Sequence, residues 1–194
     1  PYVFDALIAT EDERFEDHSG IDLKAVLRAI TSAGGSGGAS TISQQLAKLL
    51  FTLQERSRQA ELKAQGISQE QPTGKIGRLM KRLDEKAKEN IIAVRLEKRY
   101  TKEEIITMYL NQFDFLYNAV GIENAAKVYF NKKPIDLTKN EAAMLVGMCN
   151  NPSLYNPYTY KNKDYRSTVA SRSNIPLAQV INSQMQELRT ADSL

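Results

Sequence analysis

Residues 37–53 read Gly37-Gly38-Ala39-Ser40-Thr41-Ile42-Ser43-Gln44-Gln45-Leu46-Ala47-Lys48-Leu49-Leu50-Phe51-Thr52-Leu53. A glycine-rich stretch, Gly34 to Gly38, reads as a flexible loop and ends near a hydroxyl residue, Ser40 or Thr41. Such a side chain accepts a hydrogen bond from an otherwise unsatisfied N–H in the first turn of a helix. Behind the cap, Ile42, Leu46, Leu49, Leu50 and Leu53 recur at helical spacing, which predicts an amphipathic helix with these residues turned inward. Gln44 and Lys48 fall one turn apart opposite the leucines, flanked by Thr41 and Gln45. Backbone N–H groups, the helix dipole and a point positive charge are what a phosphate-bearing ligand needs. An ordinary solvated face would look the same, and the Gly-Lys-Ser/Thr ending of a nucleotide-binding loop is absent.

The same periodicity runs outward in both directions. Phe4, Leu7 and Ile8 share a stripe; Leu23, Val26, Leu27 and Ile30 share a face behind Asp22, a good N-cap. A long helix is predicted through Leu83, Ala87, Ile91 and Val94. Thr101-Lys102-Glu103-Glu104 and Thr138-Lys139-Asn140-Glu141 are capping boxes ahead of apolar runs. Leu177, Val180, Ile181, Met185 and Leu188 mark a last helix beyond Pro176. Strand signals are few, with Gln112 to Tyr117 the best. From about Gln54 to Lys81 polar residues, glycines and Pro72 dominate, which predicts a mobile surface segment.

Composition narrows the function. The chain has 194 residues, 42% of them hydrophobic and 25% charged, enough to bury the core of one domain, with or without a small lobe. No apolar run approaches the roughly 18 residues of a membrane helix, and the opening residues do not read as a signal peptide. One cysteine excludes an internal disulfide, and one histidine argues against a histidine metal cage. Cys149 reads as a small buried hydrophobe. The net charge of +3 is too weak to argue for nucleic acid, yet suits an anionic lipid surface or a phosphorylated substrate.

Two carboxylates stand out. Glu11 continues the stripe of Phe4, Leu7 and Ile8, so it is expected to be partly withdrawn from water and suited to proton transfer. It also belongs to an acidic cluster with Asp12, Glu13, Glu16 and Asp17, and could merely end its helix. Glu89 leads the apolar strip of Ile92, Ala93 and Leu96, as a residue lining a cleft would; an i,i+3 ion pair with Lys86 is the plainer reading. His18 reads as a hydrogen-bonded structural residue at the turn before Gly20.

The order of these features resembles a known family. Glu11-Asp12-Glu13-Arg14-Phe15 with His18, Gly20 and Asp22 looks like the first motif of the peptidoglycan glycosyltransferases, glycosyltransferase family 51, found in class A penicillin-binding proteins and monofunctional transglycosylases. Gly38 to Lys48 resembles the second motif, Lys86-Ala87-Lys88-Glu89 the end of the third, and Lys102 to Asn111 the fourth. Glu141 to Gly147, followed by Pro152 to Pro157, resembles the fifth. Ala39, Ser43, Glu85 and Thr107 depart from the family pattern; Arg82, one turn before Glu85, could replace the cation lost there.

The resemblance implies a mainly α-helical, lysozyme-like domain over residues 1–194, with a small mobile lobe over an active-site cleft and a flap or insert at about 54–81. It implies polymerisation of lipid II into β-1,4 glycan by inverting transfer, releasing undecaprenyl pyrophosphate. Glu11 matches the general base and Glu89 the second essential glutamate. Lys48, Arg56 and Lys86 match pyrophosphate contacts; Ser40, Thr41, Gln44 and Gln45 match residues shaping the cleft; His18, Gly20 and Asn111 match structural motif positions. No cofactor is obligatory, while a divalent cation, Mg or Mn, could sit at the pyrophosphate on Glu89. The implied partners are lipid II, the growing strand, a membrane surface and a cell-wall synthesis complex, at the outer face of a bacterial cytoplasmic membrane; nucleic acid is not among them. The sequence reads as an excised catalytic domain without its membrane anchor. Phe51, Leu53, Ile76, Leu79 and Met80 would face the membrane or complete a local core. The rival activities are a lysozyme-like hydrolase or lytic transglycosylase, which needs no Lys48 or Arg56, and a non-catalytic glycan-binding domain.

Overall fold

The computed structural model describes residues 2–31, 40–66, 74–152 and 155–156. The glycine-rich loop, residues 67–73 of the polar segment and the last predicted helix lie outside the described residues. The described chain is mainly α-helical, with no strand, and none of its helices is long and apolar enough to cross a membrane. It forms two compact units, Pro1–Glu13 with Phe113–Leu194, and Arg14–Gln112.

In the first unit, α1 (Tyr2–Glu11) packs on α7 (Lys139–Asn150). The capping box at Thr138 forms as predicted: its Oγ1 accepts from the Glu141 N–H, and Glu141 accepts from the Thr138 N–H. Behind that cap, Ala142 to Cys149 are buried without interruption. Cys149 is therefore the small buried hydrophobe expected.

Residues 113–121 are not the strand suggested for Gln112 to Tyr117. One isolated bridge, Asp114 with Val120, is all that forms. Leu116, Tyr117 and Asn118 all take left-handed φ angles, so the backbone reverses at once. The reversal is held by Asp114 Oδ1 on the Leu116 N–H, and by Tyr129 Oη–H on the Phe115 carbonyl. Asn156 Nδ2 donates in turn to Tyr129 Oη. The next helix, α6 (Ile122–Phe130), supplies that tyrosine.

In the second unit, α2 (Leu23–Thr31) is capped by Asp22, whose Oδ1 accepts from the Ala25 N–H. Leu23 and Leu27 of its apolar face are not turned inward, while Val26 is half-buried. Leu23 is 70% exposed and Leu27 62%, while Ala25 is the buried residue. Helix α3 (Ile42–Ala64) begins at Thr41, so Thr41 and not Ser40 is the N-cap. Ile42 and Leu46 are buried, Leu49 and Leu50 half-buried, and Leu53 exposed. The inward stripe thus fades along the helix, but the helix itself continues past Leu53 to Ala64.

Helix α4 (Gly74–Glu97) likewise starts earlier than its apolar residues announce. Much of the segment at 54–81 is accordingly helical rather than irregular, because long polar side chains are good helix formers even where nothing packs on them. Ile76, Leu79, Met80 and Leu83 are exposed, which rules out the local core for the three of these named earlier. Helix α5 (Lys102–Gln112) packs on α3 and α4, burying Ile105, Ile106, Tyr109 and Leu110. The Thr101 capping box forms, with Thr101 Oγ1 on the Glu104 N–H and Glu104 on the Thr101 N–H.

Candidate active site

The start of α3 and the middle of α4 bring one cluster together. Lys86 Nζ donates to Ser40 Oγ at 3.1 Å and to Glu89 Oε2 at 3.0 Å. Glu89 is buried, whereas Lys86 keeps much of its side chain in water. Glu89 is thus withdrawn from solvent, and the i,i+3 ion pair with Lys86 forms. The cluster offers a hydroxyl, an ammonium group and a carboxylate within one hydrogen-bonded chain, in which the hydroxyl and the ammonium group can donate to a phosphate oxygen.

Thr41 and Gln44 do structural work. Thr41 Oγ1 accepts from the Gln44 N–H, and Gln44 Oε1 accepts from the Thr41 N–H, a complete capping box. Gln44 is buried, so the exposed polar face foreseen there does not include it. Gln45 accepts at Oε1 from Tyr109 Oη–H of α5. Lys48 and Arg56 lie exposed further along α3 and take no part in these bonds. Arg82 is exposed one turn before the half-buried Glu85, and Asn111 is exposed near the end of α5.

His18 and Gly20 hold the segment that enters this unit. His18 Nδ1 accepts from the Gly20 N–H, and the imidazole packs edge-on against Phe15. Thr41 Oγ1–H donates to the Gly20 carbonyl at 2.7 Å, which ties this segment to the start of α3. Asp22 is gripped by Arg14 through Nε and Nη2. Burial pushes the Asp22 carboxyl up, but the Ala25 N–H, the Arg14 guanidinium and the Lys24 N–H together hold it below the usual carboxylate range.

One half-buried ion pair escaped the sequence reading as a pair. Lys102 Nζ meets Glu97 Oε2 at 2.8 Å, donates to the His18 carbonyl at 2.6 Å and lies 4.3 Å from the Phe15 ring centre. Ser43 Oγ–H donates to the same Glu97. A sequence signal existed: Lys102 opens a helix and Glu97 closes one, each against the helix dipole, so each needs a specific partner.

In the first unit, Glu11 closes α1, half-buried, and Asn150 Nδ2 donates to its Oε1 at 3.1 Å. Asn150 also escaped the sequence reading. Its signal is a polar side chain closing the run of buried residues in α7. A carboxylate oriented by an amide and half open to water can accept a proton from a hydroxyl. Among the described residues no group of three potential metal-ligating side chains comes together.

The profile of the family described as Transglycosylase matches residues 1–180. The chain is 38% identical over 178 residues to penicillin-binding protein 1F of Bacillus subtilis strain 168, covering 89% of this chain and 21% of that protein. It is 35% identical over 195 residues to penicillin-binding protein 1A of Escherichia coli K12, covering 98% of this chain and 20% of that one. Penicillin-binding protein 2a of Streptococcus pneumoniae D39 is 39% identical over 152 residues, covering 78% of this chain and 17% of that one. The chain thus spans about a fifth of the length of these curated relatives.

Proposed function

Because the chain belongs to the transglycosylase family, we propose that it polymerises lipid II, transferring a growing glycan from undecaprenyl pyrophosphate to the 4-hydroxyl of the next disaccharide. An α-pyrophosphate donor and a β product require a single inverting displacement. That step needs a base for the acceptor hydroxyl and compensation of the charge that develops on the leaving pyrophosphate.

The Ser40–Lys86–Glu89 cluster is the observation that carries this reading. Lys86 and Ser40 would hold a phosphate oxygen, each charge-assisted bond contributing about 1.5–3 kcal/mol. Glu89 holds the Lys86 ammonium group in place. Lys48 and Arg56, exposed on α3, would supply further cationic contacts to the pyrophosphate, and Gln45 would line the cleft. Glu11 would take the proton of the acceptor hydroxyl, with Asn150 orienting its carboxylate. A divalent cation, Mg or Mn, would find in this cluster one carboxylate, Glu89, already paired with Lys86. Lys86 supplies the positive charge that such an ion would bring.

The lipid tail of the substrate places the protein at a membrane surface, which we assign to the outer face of a bacterial cytoplasmic membrane, within a cell-wall synthesis complex. The exposed Ile76, Leu79, Met80 and Leu83, interleaved with Lys75, Arg78, Lys81 and Arg82, would meet the headgroup layer. Incubation with labelled lipid II tests the reading. Polymer with release of undecaprenyl pyrophosphate is expected; soluble cleavage fragments would favour a hydrolase or lytic enzyme, and intact lipid II a binding domain.

A further inference from the structure

We propose that Asn90 is a positioning residue: it latches Gln44 and so holds Ser40 where Lys86 can bridge it to Glu89. The proposal rests on the reading of Lys86 and Glu89 as donor-side groups. Gln44 Nε2 donates to Asn90 Oδ1 at 2.7 Å. The other end of the Gln44 amide is committed, since its Oε1 accepts from the Thr41 N–H. A buried amide with its oxygen fixed must find an acceptor for its nitrogen, and Asn90 supplies it.

The sequence offsets make this bond a register device. Ser40 lies four residues before Gln44, and Lys86 four before Asn90. The bonds Lys86–Ser40 and Gln44–Asn90 therefore join the same two stretches of chain at both ends. Of the two, Lys86–Ser40 is the weaker anchor, because Lys86 is partly exposed and a long side chain in water gains little from one contact. The shielded Gln44 amide is the stronger one. Asparagine is also a poor choice for the interior of a helix on propensity alone, and its position directly after Glu89 makes sense through this bond. Gln44 is thereby a latch, and not a side chain reaching for substrate.

A double-mutant cycle tests the latch. Asn90→Leu and Gln44→Met, singly and together, are assayed for kcat and KM with lipid II, with melting and backbone amide exchange in parallel. Asn90→Asp, which keeps the acceptor, is the conservative control. Each single variant should lower kcat about tenfold, the upper range for a lost hydrogen bond, with KM within about twofold. The double variant should be no worse than either single one, and Asn90→Asp should recover most of the loss. Exchange of the Thr41 N–H should quicken in Asn90→Leu. Additive losses, a wild-type kcat in Asn90→Leu, or a loss that merely tracks the melting temperature would overturn the proposal. If the unaltered protein makes no polymer, unchanged Thr41 exchange in Asn90→Leu overturns the latch itself, whereas faster exchange keeps the latch and sinks only the functional reading.

Discussion

Gly20 has a φ of +97°, and a Cβ there would lie 2.9 Å from the Ala93 carbonyl carbon. Backbone cannot yield as a flexible side chain can, so Gly20→Ala should cost about 1–3 kcal/mol from strain and overpacking, read as a lower melting temperature. Asp22 makes a prediction in pH. Its carboxyl is held below the usual carboxylate range, so the stabilisation it provides is present above that range and is lost as pH falls through the lower folded value. Asp22→Asn should therefore melt below the unaltered protein at pH 7, with the gap narrowing in acid; a gap independent of pH would contradict this. Glu11→Gln keeps an oxygen to accept from Asn150 Nδ2, so the fold should survive while polymerisation falls by about 10²–10⁴-fold, the usual cost of losing a general base. Near-normal turnover in that variant would remove Glu11 from the role. At this scale the sequence was informative where a residue acts through its own neighbours, as in the caps at Thr41, Thr101 and Thr138. It was silent where partners come from distant segments, as with Asn150 on Glu11, Asn90 on Gln44, and Lys102 on the His18 carbonyl.

Helix periodicity announced most of the described helices, though not α6 (Ile122–Phe130), and it did not say which of their faces are covered. The stripe on α2 has the spacing of a core face, yet Leu23 and Leu27 stand in water, because spacing reports amphipathicity and not what lies opposite. The lengths of α3 and α4 were underestimated for the converse reason: helical propensity carries both helices beyond their packed residues. The reversal at Leu116 to Asn118 contains no glycine to announce it, so its left-handed angles were illegible. Leu79 is 57% exposed and Met80 61%, so replacing both by serine should leave the melting temperature unchanged while weakening binding to vesicles containing anionic lipid. Unchanged binding would remove this patch from the membrane surface.

The two compact units divide the proposed chemistry, with Glu11 in one and Ser40, Lys86 and Glu89 in the other. Residues 54–64 and 74–81 are helical but bury almost nothing, and a helix without tertiary packing is marginal in water. Their amides should therefore exchange much faster than those of α7, whose residues Glu141 to Cys149 are all buried; comparable protection without ligand would show that something packs on them. Fold class and motif order were legible throughout because both are carried by local patterns along one chain. Whether this chain transfers glycan from a lipid pyrophosphate is decided by product stoichiometry and stereochemistry with lipid II. One undecaprenyl pyrophosphate should be released for each new β-1,4 bond. Sugar release without a new glycosidic bond, or bonds of the α configuration, would contradict it.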